Sequence, residues 1–453
     1  MTEWRFRRDA IETFRFVRCG FNPATGVAEL VYAFDDGPEL VETVCVPGAP
    51  FALPPPREAG VQRALRLLHL IAGVSYYKAA IPPRIVIEDE PIDAATAALL
   101  ETVYRNGLGE YAHRNGLSLE GLIVFPHAAA DAQPAPSLGL QPGALTAIGG
   151  GKDSLVTIEA LRALEVAQTV TWIGGSPLIA ACAEHTGLPT LNIGRTLAAQ
   201  LFEYNQQGAW NGHVPVTAVN SAILVLAAVV LGRDQVVFSN ERSASYGSLI
   251  PGSGEVNHQW SKGWQFEQLF GEHVQRQVAA DLHYYSLLRP LSELAVARQF
   301  ARSSRYDAHF SSCNRNFHIL GERPTSRWCG ICPKCHFVSL ALAPFMPKPR
   351  LVGILGRNLL DDESQVPGFD ALLEYGEHKP FECVGEGRES RAAMAALAAR
   401  PEWREDAVVA RFAREIAPQL GADVPEVEAL LVPDDEHGIP ASLWERLRDR
   451  FSA

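Results

Sequence analysis

The sequence predicts an α/β fold in three parts: an N-terminal α+β module over residues 1–140, a parallel-sheet core over residues 141–345, and a mostly helical region over residues 346–453. In the first part, apolar and polar residues alternate with the period of half-buried strands. In the core, short apolar runs alternate with helical patterns, an order that gives a parallel sheet with helices on both faces. In the last part, the apolar spacing is that of helices.

Three strands followed by two helices are predicted in the N-terminal module. Asn22 with Pro23, and Asp36 with Gly37, provide the turns between the strands. The stretch 128–142 is rich in Ala and Pro, which indicates a linker to the core. The strands cover residues 14–17, 28–34 and 40–46, and the helices cover residues 61–71 and 94–104.

The predicted core contains four strands connected by helices. Its most apolar helix, Val216–Leu231, includes Asn220 and is too short to span a bilayer, so we expect it to be buried inside the protein. Parallel sheets bind ligands at the carboxyl ends of their strands, which predicts one shared crevice for residues 149–154 and 239–242. The strands cover residues 145–148, 169–173, 189–193 and 235–239, and the first two helices cover residues 155–164 and 177–185.

Composition and charge restrict the class of protein. With 47% hydrophobic and 20% charged residues, the chain is an ordinary globular protein and not a disordered one. Its formal net charge of −12 argues against a large nucleic-acid surface, because phosphate binding needs a basic one. No segment has the pattern of a signal peptide or a membrane span. We therefore expect a cytoplasmic protein that binds a small soluble substrate and neither nucleic acid nor a membrane; the oligomeric state is not indicated.

A glycine-rich turn separates the first core strand from its helix. Glycines allow the backbone to approach a polyphosphate, and the following helix directs free N–H groups at the anion. Lys152 adds a positive charge and Asp153 a carboxylate suited to Mg²⁺. A Walker A loop is excluded, because Asp153 stands where that motif needs Ser or Thr. The alternative is a turn without a ligand. The residues expected to bind the nucleotide are Gly149, Gly150, Gly151, Lys152, Asp153, Ser154 and Asn240.

This turn resembles the PP-loop of N-type ATP pyrophosphatases, which usually reads Ser-Gly-Gly-X-Asp-Ser. Gly149 replaces the usual Ser and removes one hydroxyl donor. The resemblance implies an adenine nucleotide alpha hydrolase-like core with ATP and Mg²⁺ as cofactors. In such enzymes an oxygen of the substrate attacks the α-phosphate of ATP, and magnesium pyrophosphate leaves.

A cluster of cysteines indicates a metal site. Four thiolates suit a structural Zn²⁺, and an iron–sulfur cluster, which also uses four thiolates, is the alternative. Their order resembles the zinc-carrying part of 7-cyano-7-deazaguanine synthases, another PP-loop group. The expected ligands are Cys313, Cys329, Cys332 and Cys335.

The whole layout resembles the family of UDP-N-acetyl-muramoyl-L-alanyl-L-glutamate epimerases. The resemblance rests on residues 147–154, 239–245 and 378–385 together with the cysteines. It implies a reaction of peptidoglycan precursor synthesis. ATP adenylates the terminal L-Glu of UDP-MurNAc-L-Ala-L-Glu, AMP and pyrophosphate are released, and the residue becomes D-Glu. Adenylation assists because the mixed anhydride, unlike a free carboxylate, can take up the charge of the enolate.

Side chains at two further segments are candidates for this chemistry. Glu241 could hold a second Mg²⁺ or act as a base, and Arg242 could bind a substrate carboxylate or phosphate; a surface ion pair is the alternative. In the segment 378–385, three titratable groups could move the α-proton, unless the segment is an ordinary surface loop. The expected catalytic residues are Lys152, Asp153, Glu241, His378 and Cys383, and the expected substrate-binding residues are Arg242 and Lys379. A second set of candidates comprises Asn257, His258 and Lys262.

Two other functions fit parts of the sequence. The first is a different PP-loop enzyme that makes an amide or a nitrile from the adenylated acid. The second is a non-catalytic nucleotide-sensing protein with a zinc-stabilised fold. Release of pyrophosphate and exchange of the α-proton distinguish these alternatives from an epimerase.

Overall fold

The computed structural model is mixed α/β and describes most of the chain. Its eleven strands among the described residues are β1 (Thr13–Asn22), β2 (Val27–Phe34), β3 (Leu40–Cys45), β4 (Arg84–Ile87), β5 (Gln141–Ala147), β6 (Gln168–Ile173), β7 (Thr190–Thr196), β8 (Arg233–Phe238), β9 (Ser248–Ile250), β10 (Gly254–Val256) and β11 (His283–Ser286). The described residues are 4–129, 133–250, 254–317, 323–376, 379–421 and 424–452, without the side chains of residues 249–250 and 254–255.

Nine of these strands form one sheet, in the order β11-β8-β5-β6-β7-β3-β2-β1-β4. The five strands from β11 to β7 are parallel, which confirms the predicted parallel-dominated α/β sheet. Strand β3 pairs with β7 in antiparallel orientation, so the N-terminal strands continue the same sheet. Strands β1, β2 and β3 form an antiparallel meander, and β4 pairs with β1 in parallel. The domain boundaries stay a prediction.

The helices cover the sheet and make up most of the C-terminal region. Among the described residues, none is long and apolar enough to cross a membrane. They are α1 (Pro55–Ala72), α2 (Val74–Tyr77), α3 (Ala94–Gly107), α4 (Gly109–Asn115), α5 (Lys152–Ala163), α6 (Pro177–His185), α7 (Gln200–Gln206), α8 (Val216–Leu231), α9 (Trp264–His273), α10 (Glu293–Ala301), α11 (Pro333–Leu342), α12 (Lys348–Leu355), α13 (Val366–Leu373), α14 (Gly387–Ala398), α15 (Ala407–Arg411), α16 (Ala417–Leu420), α17 (Val427–Leu430) and α18 (Ala441–Ser452).

Two apolar cores fix the sheet between its helices. Helix α8 is buried almost throughout and packs on α1 in the core that includes the N-terminal strands. It ends at Gly232, whose φ of +69° few other residues adopt. The second core joins α5, α10 and α11 to the C-terminal helices. Because α10 packs on α5, and its first turn is capped by Ser292, Glu293 is held beside the start of α5.

Candidate active site

The glycine turn lies where the order of the parallel strands reverses. After β5 the chain continues to β6 and β7 on one side, while β8 and β11 lie on the other. Open α/β sheets bind ligands at such a point, outside the carboxyl ends of the strands. A cleft of about 660 Å³ occupies this position and is lined by residues from both predicted segments, including Gly149, Asp153 and Asn240.

The backbone of the turn faces the cleft because a neighbouring loop supports it. Gly150 has a φ of +79°, and its carbonyl accepts a hydrogen bond of 2.9 Å from the N–H of Ser311. A Cβ on Gly151 would lie 2.7 Å from Oγ of Ser312, so a side chain there would require that hydroxyl to move. The space beside Gly149 is open, which leaves room for an anion next to the first turn of α5.

Lys152 is held between two carboxylates at the start of α5. Its Nζ lies 2.5 Å from Oδ1 of Asp153 and also forms an ion pair with Glu293. Burial opposes the charge of Lys152, but these carboxylates outweigh that effect and raise its pKa. Lys334 lies 3.9 Å from the same Glu293 and lines the cleft. The ion-pair network therefore places one lysine beneath the turn and a second one in the cleft wall.

Three carboxylates interact electrostatically in this network. Burial opposes ionisation of Asp153, but the charges of Lys152 and Lys334 outweigh it, so its pKa is lowered. Burial and the charge of Asp153 raise the pKa of Glu241. Burial also raises the pKa of Glu293 to about 7, against the opposing charge of Lys152. The charges of Asp153 and Glu241 disfavour each other, and a divalent cation would relieve this repulsion.

Cys383 lines the same cleft as a thiol surrounded by cations. Nζ of Lys262 lies 3.1 Å from its Sγ, and His258 lines the cleft with it. Burial would raise the pKa of Cys383, but Lys262, His258 and Lys334 outweigh burial and lower it to about 5. Burial would likewise lower the pKa of His258, but the neighbouring Cys383 and Glu110 raise it to about 9. These pKa shifts favour a thiolate at Cys383 and an imidazolium at His258 at neutral pH.

Polar side chains at the end of β8 complete the wall next to the glycine turn. Asn240 lines the cleft, and its Nδ2 donates a hydrogen bond of 3.0 Å to Oγ of Ser286. Ser239 also lines the cleft, and its Oγ is buried without a hydrogen-bond partner among the described residues. Since a buried hydroxyl is costly to leave unpaired, Ser239 suits a hydrogen bond to a ligand.

The two residues predicted to bind substrate point elsewhere in this conformation. Nη1 of Arg242 lies 3.7 Å from Oδ2 of Asp434 in the C-terminal region. Nζ of Lys379 donates a hydrogen bond of 3.4 Å to the carbonyl of Tyr246. His378 lies outside the described residues.

The four predicted metal ligands come together beside the cleft. All four sulfurs lie within 4.8 Å of one another. Sγ of Cys335 is 3.5 Å from Sγ of Cys332 and 3.8 Å from Sγ of Cys329. Around one tetrahedral Zn²⁺ with bonds of about 2.3 Å, the sulfurs would be about 3.8 Å apart. The donor set and its spacing therefore fit a single metal ion.

Known proteins match this chain over nearly its whole length. A family model described as the MurL N-terminal domain matches residues 5–287, and one described as the MurL C-terminal domain matches residues 309–426. A protein of Xanthomonas oryzae pv. oryzae named UDP-N-acetyl-alpha-D-muramoyl-L-alanyl-L-glutamate epimerase is 72% identical over 99% of both chains.

The chain belongs to this epimerase family.

More distant members of the epimerase family also match nearly the full length. Proteins with the same name from a Micromonospora species and from Salinispora tropica are each 42% identical. The first match covers 95% of this chain and 96% of the relative, and the second covers 88% of each. The resemblance to the epimerases is thus confirmed, while the PP-loop assignment and the roles of single residues stay predictions.

Reasoning from the sequence missed two charged residues of the site. Glu293 has no motif around it and reaches Lys152 only through the packing of α10 on α5. Lys334 could have been identified from the sequence, because it lies between the predicted metal ligands Cys332 and Cys335.

Proposed function

We propose that the protein converts the terminal L-Glu of UDP-MurNAc-L-Ala-L-Glu to D-Glu in an ATP-dependent reaction that releases AMP and pyrophosphate. Membership of the epimerase family over the full chain supports the substrate and the outcome. One observation carries the mechanism: a glycine turn with a magnesium-suited carboxylate and a cation-stabilised thiol line a single cleft.

The glycine turn would hold the phosphates of ATP. Its open space and the N–H groups of α5 suit an anion, and Lys334 adds a positive charge in the cleft wall. Asp153, with Glu241 interacting electrostatically with it, would hold Mg²⁺, and the ion would neutralise charge on the departing pyrophosphate. Ser154, Ser239 and Asn240 offer further hydrogen bonds at the rim. The cysteine cluster would hold Zn²⁺ as a structural ion.

The first chemical step forms an acyl-adenylate. An oxygen of the glutamyl α-carboxylate bonds to the α-phosphorus of ATP, and the bond from that phosphorus to pyrophosphate breaks. The negative charge that the carboxylate carried is thereby removed from the carbon next to Cα. The α-proton becomes more acidic, because the mixed anhydride can accept the charge as an enolate.

The second step moves the proton. The Cys383 thiolate takes the proton from Cα, so the C–H bond breaks and an S–H bond forms. A proton from solvent, delivered to the opposite face of the enolate, gives the D configuration, and the Cys383 thiol returns its proton to solvent. Water then attacks the acyl carbon, AMP leaves, and the free carboxylate of D-Glu is restored. Lys262 and His258 assist because they stabilise the thiolate before the step and keep it close to the cleft.

Incubation with ATP, Mg²⁺ and UDP-MurNAc-L-Ala-L-Glu in D₂O tests this function. We expect pyrophosphate and AMP to be released, deuterium to appear at the glutamyl α-carbon, and D-Glu to be present in the hydrolysate. Pyrophosphate without deuterium would instead indicate an amide- or nitrile-forming PP-loop enzyme. No pyrophosphate with any acid would indicate a nucleotide-sensing protein.

Substitution of Cys383 separates the two steps. We expect Cys383→Ala to keep ATP–pyrophosphate exchange in the presence of substrate and to lose deuterium incorporation by at least about 100-fold. Cys45→Ala is the control, because Cys45 is an exposed thiol on β3. Unchanged deuterium incorporation in Cys383→Ala would remove this thiol from the mechanism.

A further inference from the structure

A buried carboxylate of the N-terminal module reaches the edge of the cleft. Glu110, on helix α4, is only 5% exposed. Its Oε2 is hydrogen-bonded directly to Nδ1 of His258, and its Oε1 accepts a bond of 2.5 Å from Nε of Arg114. One oxygen of this carboxylate therefore faces an arginine, while the other faces the imidazole of the cleft.

The same imidazole lines the cleft together with the thiol. His258 is hydrogen-bonded to Glu110 and interacts electrostatically with Cys383, so it links the carboxylate to the sulfur. The charged groups that act on Cys383 are Lys262, His258, Lys334 and the carboxylate of Glu382. Of these, the charge of His258 depends most on a partner, because an imidazolium needs a carboxylate to stay protonated when it is buried.

A metal ion is the other arrangement to consider for these side chains. His213 also lines the cleft, and its Nδ1 lies 3.9 Å from Oε2 of Glu110. The ligand atoms of Glu110, His213 and His258 lie within 4.8 Å of one another, but Glu110 and His258 are joined directly by a hydrogen bond. Arg114 moreover neutralises the carboxylate that a cation would need. These contacts favour a hydrogen-bonded pair of Glu110 and His258 next to Cys383, called the relay below, over a metal site.

We propose that Glu110 is a positioning residue, which orients His258 and keeps it as the imidazolium that holds Cys383 as a thiolate. The relay rests on the proposed function, because it gives the α-proton base its reactive form. Carboxylate, imidazole and thiol come from three distant segments of the chain, around residues 110, 258 and 383. The N-terminal module thereby contributes a side chain to the active site, although its sequence suggested no ligand.

Titration of Cys383 tests the relay without substrate. The rate of alkylation of this thiol by iodoacetamide, followed by mass spectrometry of its peptide, is measured against pH. In the wild-type protein we expect a midpoint near pH 5. In Glu110→Gln the midpoint should rise by about one unit or more, since the amide cannot stabilise the imidazolium as a carboxylate does. An unchanged midpoint in Glu110→Gln would overturn the relay.

A matched control distinguishes the relay from general loss of stability. Glu42 is another buried glutamate of the N-terminal module and pairs with Arg195 at 2.7 Å. Glu42→Gln should leave the midpoint of Cys383 unchanged. A wild-type midpoint near the ordinary value for a thiol, about 8.5, would also overturn the relay, and this measurement requires no variant.

Two further measurements show whether Glu110 acts through His258. His258→Ala should slow deuterium incorporation at the substrate, and added imidazole should restore part of it. In the His258→Ala variant, adding Glu110→Gln should not slow deuterium incorporation further. If Glu110→Gln slowed it equally with and without His258, the relay would be overturned.

A second equivalent of bound zinc that is lost when His213 is substituted would also overturn the relay, because a metal ion would then take the place of the proton. If neither deuterium incorporation nor pyrophosphate release is observed, while Cys383 titrates as expected, the proposed function is contradicted and the relay is not.

Discussion

Cys383 illustrates what single residues can and cannot reveal in a sequence. The residue was predicted as a candidate because it lies in a polar segment with other titratable groups. Its partner Lys262 precedes it by 121 positions, and that contact depends on the loop after β10 folding against the segment 379–385. A pattern local in sequence cannot give such a contact, so the lowered pKa of the thiol could be found only from the structure.

The pH dependence of α-proton exchange follows from this environment. The base is active when deprotonated, so exchange should rise as the pH increases through about 5, the pKa of Cys383. It should then stay level until His258 loses its proton near pH 9, which removes a cation that stabilises the thiolate. Deuterium incorporation under limiting substrate measures this profile. A rise centred near pH 8.5, as for an ordinary thiol, would contradict it.

Asp153 provides a test of the nucleotide site. Asp153→Ala should lower pyrophosphate release by at least about 100-fold, because it removes the carboxylate that we assign to Mg²⁺. The fold should persist, since Lys152 keeps its ion pair with Glu293. Glu159→Ala is the control on the same helix, away from the glycine turn. Turnover that survives in Asp153→Ala would show that the magnesium assignment is wrong.

Among the elements, long periodic segments were predicted best. Helices α6 and α8 have the bounds that their sequences indicated. A Pro begins α6, and α8 is apolar along most of its length. Strands β4 and β11 were missed, since each has only four residues and too few alternations to show a period. The glycine turn was located because a strand, a turn and a helix follow one another locally.

The cysteine cluster connects two elements that form the cleft. Cys313 belongs to the loop whose Ser311 supports the glycine turn, and Cys335 belongs to α11, which carries Lys334. A metal ion at this position would therefore fix both the turn and the lysine.

Loss of one ligand should affect stability before chemistry. We expect Cys332→Ser to lose its zinc and about 2 kcal/mol of stability, roughly 5 °C in Tm, because three ligands bind the ion less tightly. Metal analysis and calorimetry measure this. Cys19→Ser, outside the cluster, should keep both. If Cys332→Ser retained metal and Tm, the four-cysteine site would be refuted.

At the scale of the whole molecule, the sheet continues across the predicted domain boundary at residue 140. The pairing of β3 with β7 and the packing of α1 on α8 join the N-terminal module to the core. Sequence patterns indicate elements but not which edges pair, because pairing depends on surfaces distant in the chain. The contribution of Glu110 to the cleft was invisible for the same reason.

Removal of the N-terminal module should therefore expose a strand edge and an apolar helix. We expect a fragment of residues 141–453 to aggregate or to be cleaved rapidly by protease, since β7 and α8 lose their partners. Co-expression of residues 1–140 as a separate chain should restore solubility. A fragment that stays soluble, protease-resistant and folded by circular dichroism would contradict this dependence.

The proposed acyl-adenylate can be tested by following one oxygen atom. The substrate is labelled with ¹⁸O at both oxygens of the glutamyl α-carboxylate. It is incubated with ATP and Mg²⁺, and the AMP is examined by mass spectrometry. We expect one ¹⁸O in each AMP, because the carboxylate oxygen bonds to the α-phosphorus and stays there when water attacks the acyl carbon. AMP without label, formed together with D-Glu that keeps both labelled oxygens, would contradict the mechanism.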